Sequence, residues 1–249
     1  MRLLFTICGR AGSKGIPNKN IREFVGKPLP YYSLSTIDLF LRRHNEIKAD
    51  IVVNTDSQVL ADLMKKNHLH EVEIIARDES LAGDSVGKID VIRNCLSEMT
   101  SRKSKEYDAV VDLDITSPLR RECDLESLLK VHFKKKSDVT TSVVPARRNP
   151  YFNQVMYTSK GVKKVFESKY TTRQQAPAIF DMNASLYAYS PGYLKQGKGV
   201  LDGYCEIIEM YDSGILDLDH ENDFELMEVI AKYLYDKYPD FREIRDNII

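Results

Sequence analysis

The first half of the chain alternates short apolar runs with longer stretches of helical period. Leu3-Leu4-Phe5-Thr6-Ile7 is almost unbroken in its apolar character, the pattern of a strand covered on both faces. Residues 30–43 place Leu34, Ile37 and Leu41 at helical spacing. Ile51-Val52-Val53 predicts the next strand, and Thr55-Asp56-Ser57 offers a cap for a helix running through Lys66. A strand over 72–75, a helix over 85–99, and a strand over 109–113 entering a polar turn follow. A helix over 124–136, capped by Cys123 or Asp124, completes this half. Strand and helix alternating at such spacing imply right-handed crossovers. The expected fold class is therefore α/β, Rossmann-like, a mostly parallel sheet with helices on both faces. Its ligand loops should open beyond the strand ends, after Ile7, Val53, Ile75 and Leu113.

The pattern then changes. Residues 139–180 hold short β-like runs, Val143-Val144, 154–157 and 162–165, separated by turn residues. Such a block suits an inserted β-rich arm in a single domain spanning 1–249. Strands are expected again over 183–189 and 207–210, and Ile215-Leu216 leads into an acidic turn. A helix over 221–235 carries Phe224, Met227, Ile230 and Leu234 on one face.

Composition narrows the function classes. Of the 249 residues, 43% are hydrophobic and 29% charged, which fits a folded α/β domain rather than a disordered chain. A net charge of -1 gives no general attraction to nucleic acid, and Lys134-Lys135-Lys136 reads as a solvated helix end. No apolar run is long enough to span a membrane. The stretch from Met1 to Cys8 is too short for a signal peptide, so a cytoplasmic location is expected. Cys8, Cys95, Cys123 and Cys205 are scattered, as reduced core thiols are, and the five histidines show no zinc spacing.

The segment from Cys8 to Asn20 carries the strongest chemistry. Gly9, Gly12 and Gly15 allow backbone N–H groups to approach an anion, and Arg10, Lys14 and Lys19 add cations matched to a polyphosphate. The GxxGxxG spacing is neither a Walker A loop nor the dinucleotide fingerprint. Asp217 and Asp219, two apart, can share a hard cation, although Asp219 could equally cap the helix that follows. Arg120, after Ser117-Pro118, is open between a phosphate contact and a structural ion pair.

Taken in order, these segments resemble the cytidylyltransferases that make CMP-sialic acid and related CMP-nonulosonates. The glycine-rich loop resembles the family signature, and Arg77 with Leu81-Ala82-Gly83-Asp84 its Arg and LAxD turn. Thr116-Ser117-Pro118-Leu119-Arg120 matches TSPLR. Thr172-Arg173-Gln174 with Pro177 and Asn183-Ala184-Ser185 is similar to RRQ…NGA, and Asp217-Leu218-Asp219 with Asn222-Asp223-Phe224 to DIDxxxDF. The resemblance implies a CTP site at Gly9, Arg10, Ala11, Gly12, Ser13, Lys14, Lys19, Asn20, Arg77 and Lys88. It implies a sugar site at Asp114, Thr116, Ser117, Arg173, Gln174 and Asn183, and Mg²⁺ on Asp217 and Asp219. Arg10, Lys19 and the two aspartates would carry catalysis. The arm, with Arg147, Arg148 and Arg173, would cross a homodimer interface.

Departures from the sialate pattern bear on the acceptor. Asp114-Ile115 stands where Gln-Pro is usual, and Lys88 where a serine commonly follows the LAxD turn. Residues 145–153 and 171–177 resemble the branch acting on legionaminic acid. Other acceptors (N-acetylneuraminate, pseudaminate, an octulosonate) and other nucleotides are the alternatives. A non-catalytic nucleotide-binding protein is a further one.

Overall fold

The computed structural model describes residues 1–12, 15–83, 86–212, 218 and 220–249. Strand β1 (Arg2–Cys8) opens the chain and is buried along most of its length. A two-stranded ribbon, β2 (Glu23–Phe24) and β3 (Lys27–Pro28), leads into α1 (Leu29–Arg43), where Pro30 occupies the first turn, a position that needs no N–H donor. Then follow β4 (Lys48–Thr55), α2 (Gln58–Lys65), β5 (Glu73–Ala76), α3 (Lys88–Lys103), β6 (Ala109–Leu113) and α4 (Glu122–Lys135). Ser57 caps α2 as its position predicts, its Oγ accepting the Leu60 N–H at 3.2 Å. The second half comprises β7 (Val139–Pro145), β8 (Val155–Thr158), β9 (Gly161–Lys164), β10 (Phe180–Tyr189), α5 (Pro191–Leu194), β11 (Cys205–Glu209), α6 (Glu221–Lys237) and α7 (Pro239–Asp246).

The central sheet has the order β11-β7-β10-β6-β1-β4-β5. β6, β1, β4 and β5 are parallel, as are β11 and β7, while β10 runs antiparallel between β6 and β7. Alternation along β1 explains the two-sided burial. Leu3, Phe5 and Ile7 face a core built with α1, α2, α4, α6 and α7, and Leu4 faces a second core built with α3 and α5. The predicted α/β class and helix coverage of both faces are therefore observed.

Several boundaries differ from the sequence expectation. Residues 139–145, expected in the arm, form β7, hydrogen-bonded on both edges inside the central sheet. The excursion proper lies between β7 and β10 and carries the β8–β9 hairpin. α3 begins at Lys88 rather than 85. α4 begins at Glu122 with Arg121, not Cys123 or Asp124, as its cap. Asp124 instead sits in the first turn and accepts the Arg121 backbone N–H at 2.8 Å, the reciprocal half of a capping box. α7 was missed because its apolar signal reduces to Phe241 and Ile244.

Arg120 resolves as structural. It is 1% exposed. Its guanidinium donates to the Ser117 carbonyl (2.6 Å), the Ser33 hydroxyl (3.0 Å), the Ser185 hydroxyl (3.2 Å) and the Asp114 carbonyl. Burial pulls its pKa down to about 10, against the charges of Asp114, Asp112 and Asp124, so it stays cationic at neutral pH. These bonds fix the 114–120 turn against α1 and β10.

β10 changes register between Met182 and Tyr187. Ala184, within that irregularity, has φ +53°, a conformation that costs a residue with a Cβ about 1–2 kcal/mol. The NGA motif carries glycine at this position. Ala184→Gly is expected to raise unfolding free energy by about 0.5–1 kcal/mol, the relieved strain less the extra chain entropy of glycine, as read from urea denaturation.

Candidate functional site

The loops after β1, β4, β5 and β6 meet at the carboxyl edge of the sheet, where the fold places ligands. The loop after β1 is pinned by short bonds. The Gly9 N–H donates to the Asn54 carbonyl (3.1 Å), the Ala11 N–H to Asp56 Oδ1 (2.6 Å), and Asn20 Nδ2 to the Arg10 carbonyl (3.0 Å). Two glycines serve it differently. Gly12 has φ +69°, as a phosphate-type loop requires. Gly9 is needed for space, since a Cβ there would lie 2.6 Å from Leu60 and 2.8 Å from Ile115. Lys19 Nζ donates to the carbonyl of Leu218 at 2.5 Å, which ties Leu218 to this loop.

A cleft of about 300 Å³ opens here, bordered by Arg10, Lys19, Asn20, Arg77, Lys88, Asp114 and Thr116. Leu81, Gly83, Val86 and Val91 supply a less polar wall, and Cys8 also borders the space. A small adjoining hollow is lined by Arg10, Ala11, Gly12, Lys19 and Asn20. Arg77 is oriented by Asn54, donating from Nε to its amide oxygen (2.8 Å) and from Nη2 to its carbonyl (3.1 Å).

At one end of the cleft Lys88 bridges two carboxylates, with Nζ 2.6 Å from Asp112 Oδ2 and 2.6 Å from Asp114 Oδ2. Asp112 is fully buried in β6, and its other oxygen accepts from the Thr6 hydroxyl at 2.8 Å. Asp114 Oδ1 accepts from the Thr116 backbone N–H (2.7 Å) and hydroxyl (2.6 Å). Burial alone would raise the Asp114 pKa, but Lys88 and Thr116 outweigh it and hold the group down at about 2. Burial likewise opposes the charge on Lys88, yet Asp112 and Asp114 raise its pKa well above the ordinary lysine value.

The remaining expected residues are placed elsewhere. Ser117 Oγ donates to the Asn183 carbonyl (3.4 Å), behind the cleft. Asn183 is 3% exposed, and its amide oxygen accepts from the Ser142 hydroxyl (2.5 Å) and the Ser185 N–H (3.3 Å). The side chain braces the β10 irregularity. Arg173 and Gln174 sit exposed in a single helical turn and do not border the cleft; Arg173 Nη2 donates to the Ala146 carbonyl at 2.5 Å. Ser13, Lys14, Asp217 and Asp219 lie outside the described residues. Sequence reading missed Asp112 and Asn54. The available signal for Asp112 was one carboxylate inside the apolar strand Ala109-Val110-Val111-Asp112-Leu113.

Among the described residues, one group of metal-type side chains comes together, His44, Glu122 and Glu126, away from the cleft. Glu122 is already ion-paired to Arg43. No described helix is long and apolar enough to cross a membrane.

Polar loops from successive strand ends of a doubly wound sheet, closing on a cation-bordered cleft, define a nucleotide-binding α/β protein. A solved CMP:2-keto-3-deoxy-manno-octonic acid synthetase complexed with CTP shares this fold, with a TM-score of 0.66 at 16% identity over 94% of this chain and 99% of that one. Residues 4–236 match the cytidylyltransferase family, and the chain belongs to it; it is a nucleotidyltransferase. It is 34% identical over 230 residues to the post-translational flagellin modification protein B of Campylobacter coli, covering 92% of this chain and 95% of that protein. It is 33% identical over 229 residues to the CMP-N,N'-diacetyllegionaminic acid synthase of Campylobacter jejuni, covering 92% and 94% respectively.

The depressed Asp114 pKa carries a stability consequence. A carboxylate held below its unfolded value stabilises the native state above that value, and the contribution is lost as pH falls through the folded pKa. The destabilisation of Asp114→Asn relative to the unsubstituted chain should therefore be full at pH 6 and shrink between about pH 4 and pH 2. Denaturant midpoints measured across that range check it.

Proposed function

We propose that this cytidylyltransferase transfers CMP from CTP to the anomeric 2-hydroxyl of a nonulosonic acid, of the legionaminate type, and releases pyrophosphate. The observation that carries the reading is the meeting of Arg10, Lys19, Asn20, Arg77, Lys88 and Asp114 around one cleft. Those residues come from three separate segments of the resemblance: the glycine-rich loop, the stretch from Arg77 past the LAxD turn, and the run that leads into TSPLR. The legionaminate preference rests on the kinship to the Campylobacter jejuni synthase and on the departures at Lys88 and Asp114.

In this reading Arg10 and Lys19, with Lys14 from the same loop, bind the triphosphate and neutralise charge growing on the departing pyrophosphate. Arg77, held by Asn54, and Lys88 line the nucleotide, while Asp114 and Thr116 face the acceptor. Asp217 and Asp219 would hold Mg²⁺, since two hard carboxylate oxygens suit that ion and Leu218 between them is bound by Lys19. Bound there, the metal supplies Lewis-acid polarisation of the α-phosphate and a lowered pKa for the attacking hydroxyl. A homodimer is proposed as well, with the excursion as its contact, because Tyr157 is 88% exposed and Val155, Val162 and Phe166 are more than half exposed beside it.

Pyrophosphate release with CTP, Mg²⁺ and a panel of nonulosonates tests the reaction. Turnover is expected with the legionaminate-type acid, and a clear preference for N-acetylneuraminate or pseudaminate would overturn the acceptor assignment. Lys19→Ala and Asp217→Ala should each lower kcat about 10²–10³-fold while the melting temperature is retained. Tyr157→Asp should shift the sedimentation coefficient from that of a dimer towards a monomer; an unchanged coefficient would remove the hairpin from the interface.

A further inference from the structure

The bridge at the end of the cleft has a donor and acceptor count that singles out a ligand group. The Lys88 ammonium carries three N–H bonds; one donates to Asp114 at 2.6 Å, and Asp112 Oδ2 stands 2.6 Å away as an ion pair without accepting a hydrogen bond. The Asp114 carboxylate offers about four lone-pair positions, of which Lys88 and two Thr116 groups engage three. At least one donor and one acceptor are left, on atoms 2.6 Å apart, and both residues border the cleft. Asp112 reaches no ligand, being fully buried, but it is fixed by Thr6 and in turn fixes the ammonium.

We propose that Lys88 and Asp114 form one specificity-determining unit, which binds a substrate group presenting a hydrogen-bond acceptor beside a donor, and that Asp112 is its positioning residue. An amidine-like edge has this pattern. In the substrates inferred above it occurs in the ring nitrogen and amino group of cytosine. A sugar acyl carbonyl with the hydroxyl of the neighbouring carbon can supply it too, since the carbonyl and N–H of one trans acylamino group point to opposite sides. The inference rests on the CMP-transfer reading for its substrates, but not for its geometry. It also explains why the two departures from the sialate pattern occur together. A lone Asp114 would leave two carboxylates close together, necessarily within about 5 Å of each other, without the cation between them. A lone Lys88 would lose half of its compensation in a largely buried position.

The test is a double-mutant cycle with Lys88→Met and Asp112→Asn, together with Asp114→Asn, on the full chain. KM for CTP, KM for the acceptor and kcat are measured separately, with circular dichroism confirming the fold. Asp112→Asn is expected to raise one KM about tenfold, with kcat changed less than about threefold. In the Lys88→Met background the same substitution should add less than about twofold, because its effect runs through the ammonium. A rise in KM for CTP identifies the base as the recognised group; a rise in KM for the acceptor identifies the sugar's acyl carbonyl and neighbouring hydroxyl. If the effects of Lys88→Met and Asp112→Asn multiply, or if folded Asp114→Asn leaves both KM values unchanged, the unit does not exist. Failure of the unsubstituted chain to release pyrophosphate with any acceptor overturns the CMP-transfer reading and the substrate assignment with it. Full activity with unaffected variants overturns this inference alone.

Discussion

A single buried guanidinium holds the carboxyl edge of the sheet in shape. Arg120 donates to two carbonyls of its own turn and to hydroxyls on α1 and β10, so three elements share one cation. Its burial is costly in itself, as its lowered pKa records, and the cost is offset because its donors have partners. Part of the cleft border hangs from this turn. Asp114 and Thr116 stand at its start, and Ser117 leans on β10 from its middle.

The charge arrangement of the cleft follows from that frame. Loop cations from β1 border one part, and Lys88 borders the other while locked between two aspartates. Lysine in water would be free to follow any anion. Here it is a group held between two carboxylates, which makes it an instrument of selection more than of attraction. The same logic separates the two glycines of the loop, one chosen for its backbone angle and the other because neighbouring side chains fill the volume.

Much of this was legible in the sequence because it is local. The two-sided burial of β1, the Ser57 cap and the apolar stripe of α6 depend on residues a few positions apart, and period alone exposes them. The loop from Gly9 to Asn20 was legible for the same reason. What sequence could not yield were pairings across long separations. Nothing in the spacing of Lys88, Asp112 and Asp114 announces that they touch, since α3 must first fold back over the sheet. Arg120 and Asn183 were ambiguous because a polar residue at a strand end serves a ligand or a backbone equally well. Only the count of partners around it decides. The strand β7 was misplaced into the arm because a buried internal strand and a short hairpin strand look alike over four residues.

The antiparallel placement of β10 between β6 and β7 also bears on how the chain is made. β5, β4, β1 and β6 are contiguous in the sheet and complete by residue 113, so this half can assemble while synthesis continues. Its growing edge is then β6, apolar and wholly buried in the finished protein. The strand that covers it ends at Tyr189, 76 residues after Leu113, a delay of about 4–15 s at common elongation rates. Once made, β7 too waits without its inner neighbour, and an open hydrogen-bonding edge is available to any other strand. The order of strands in the sheet thus makes the nascent chain most vulnerable to misassembly midway through its own translation, before β10 has emerged.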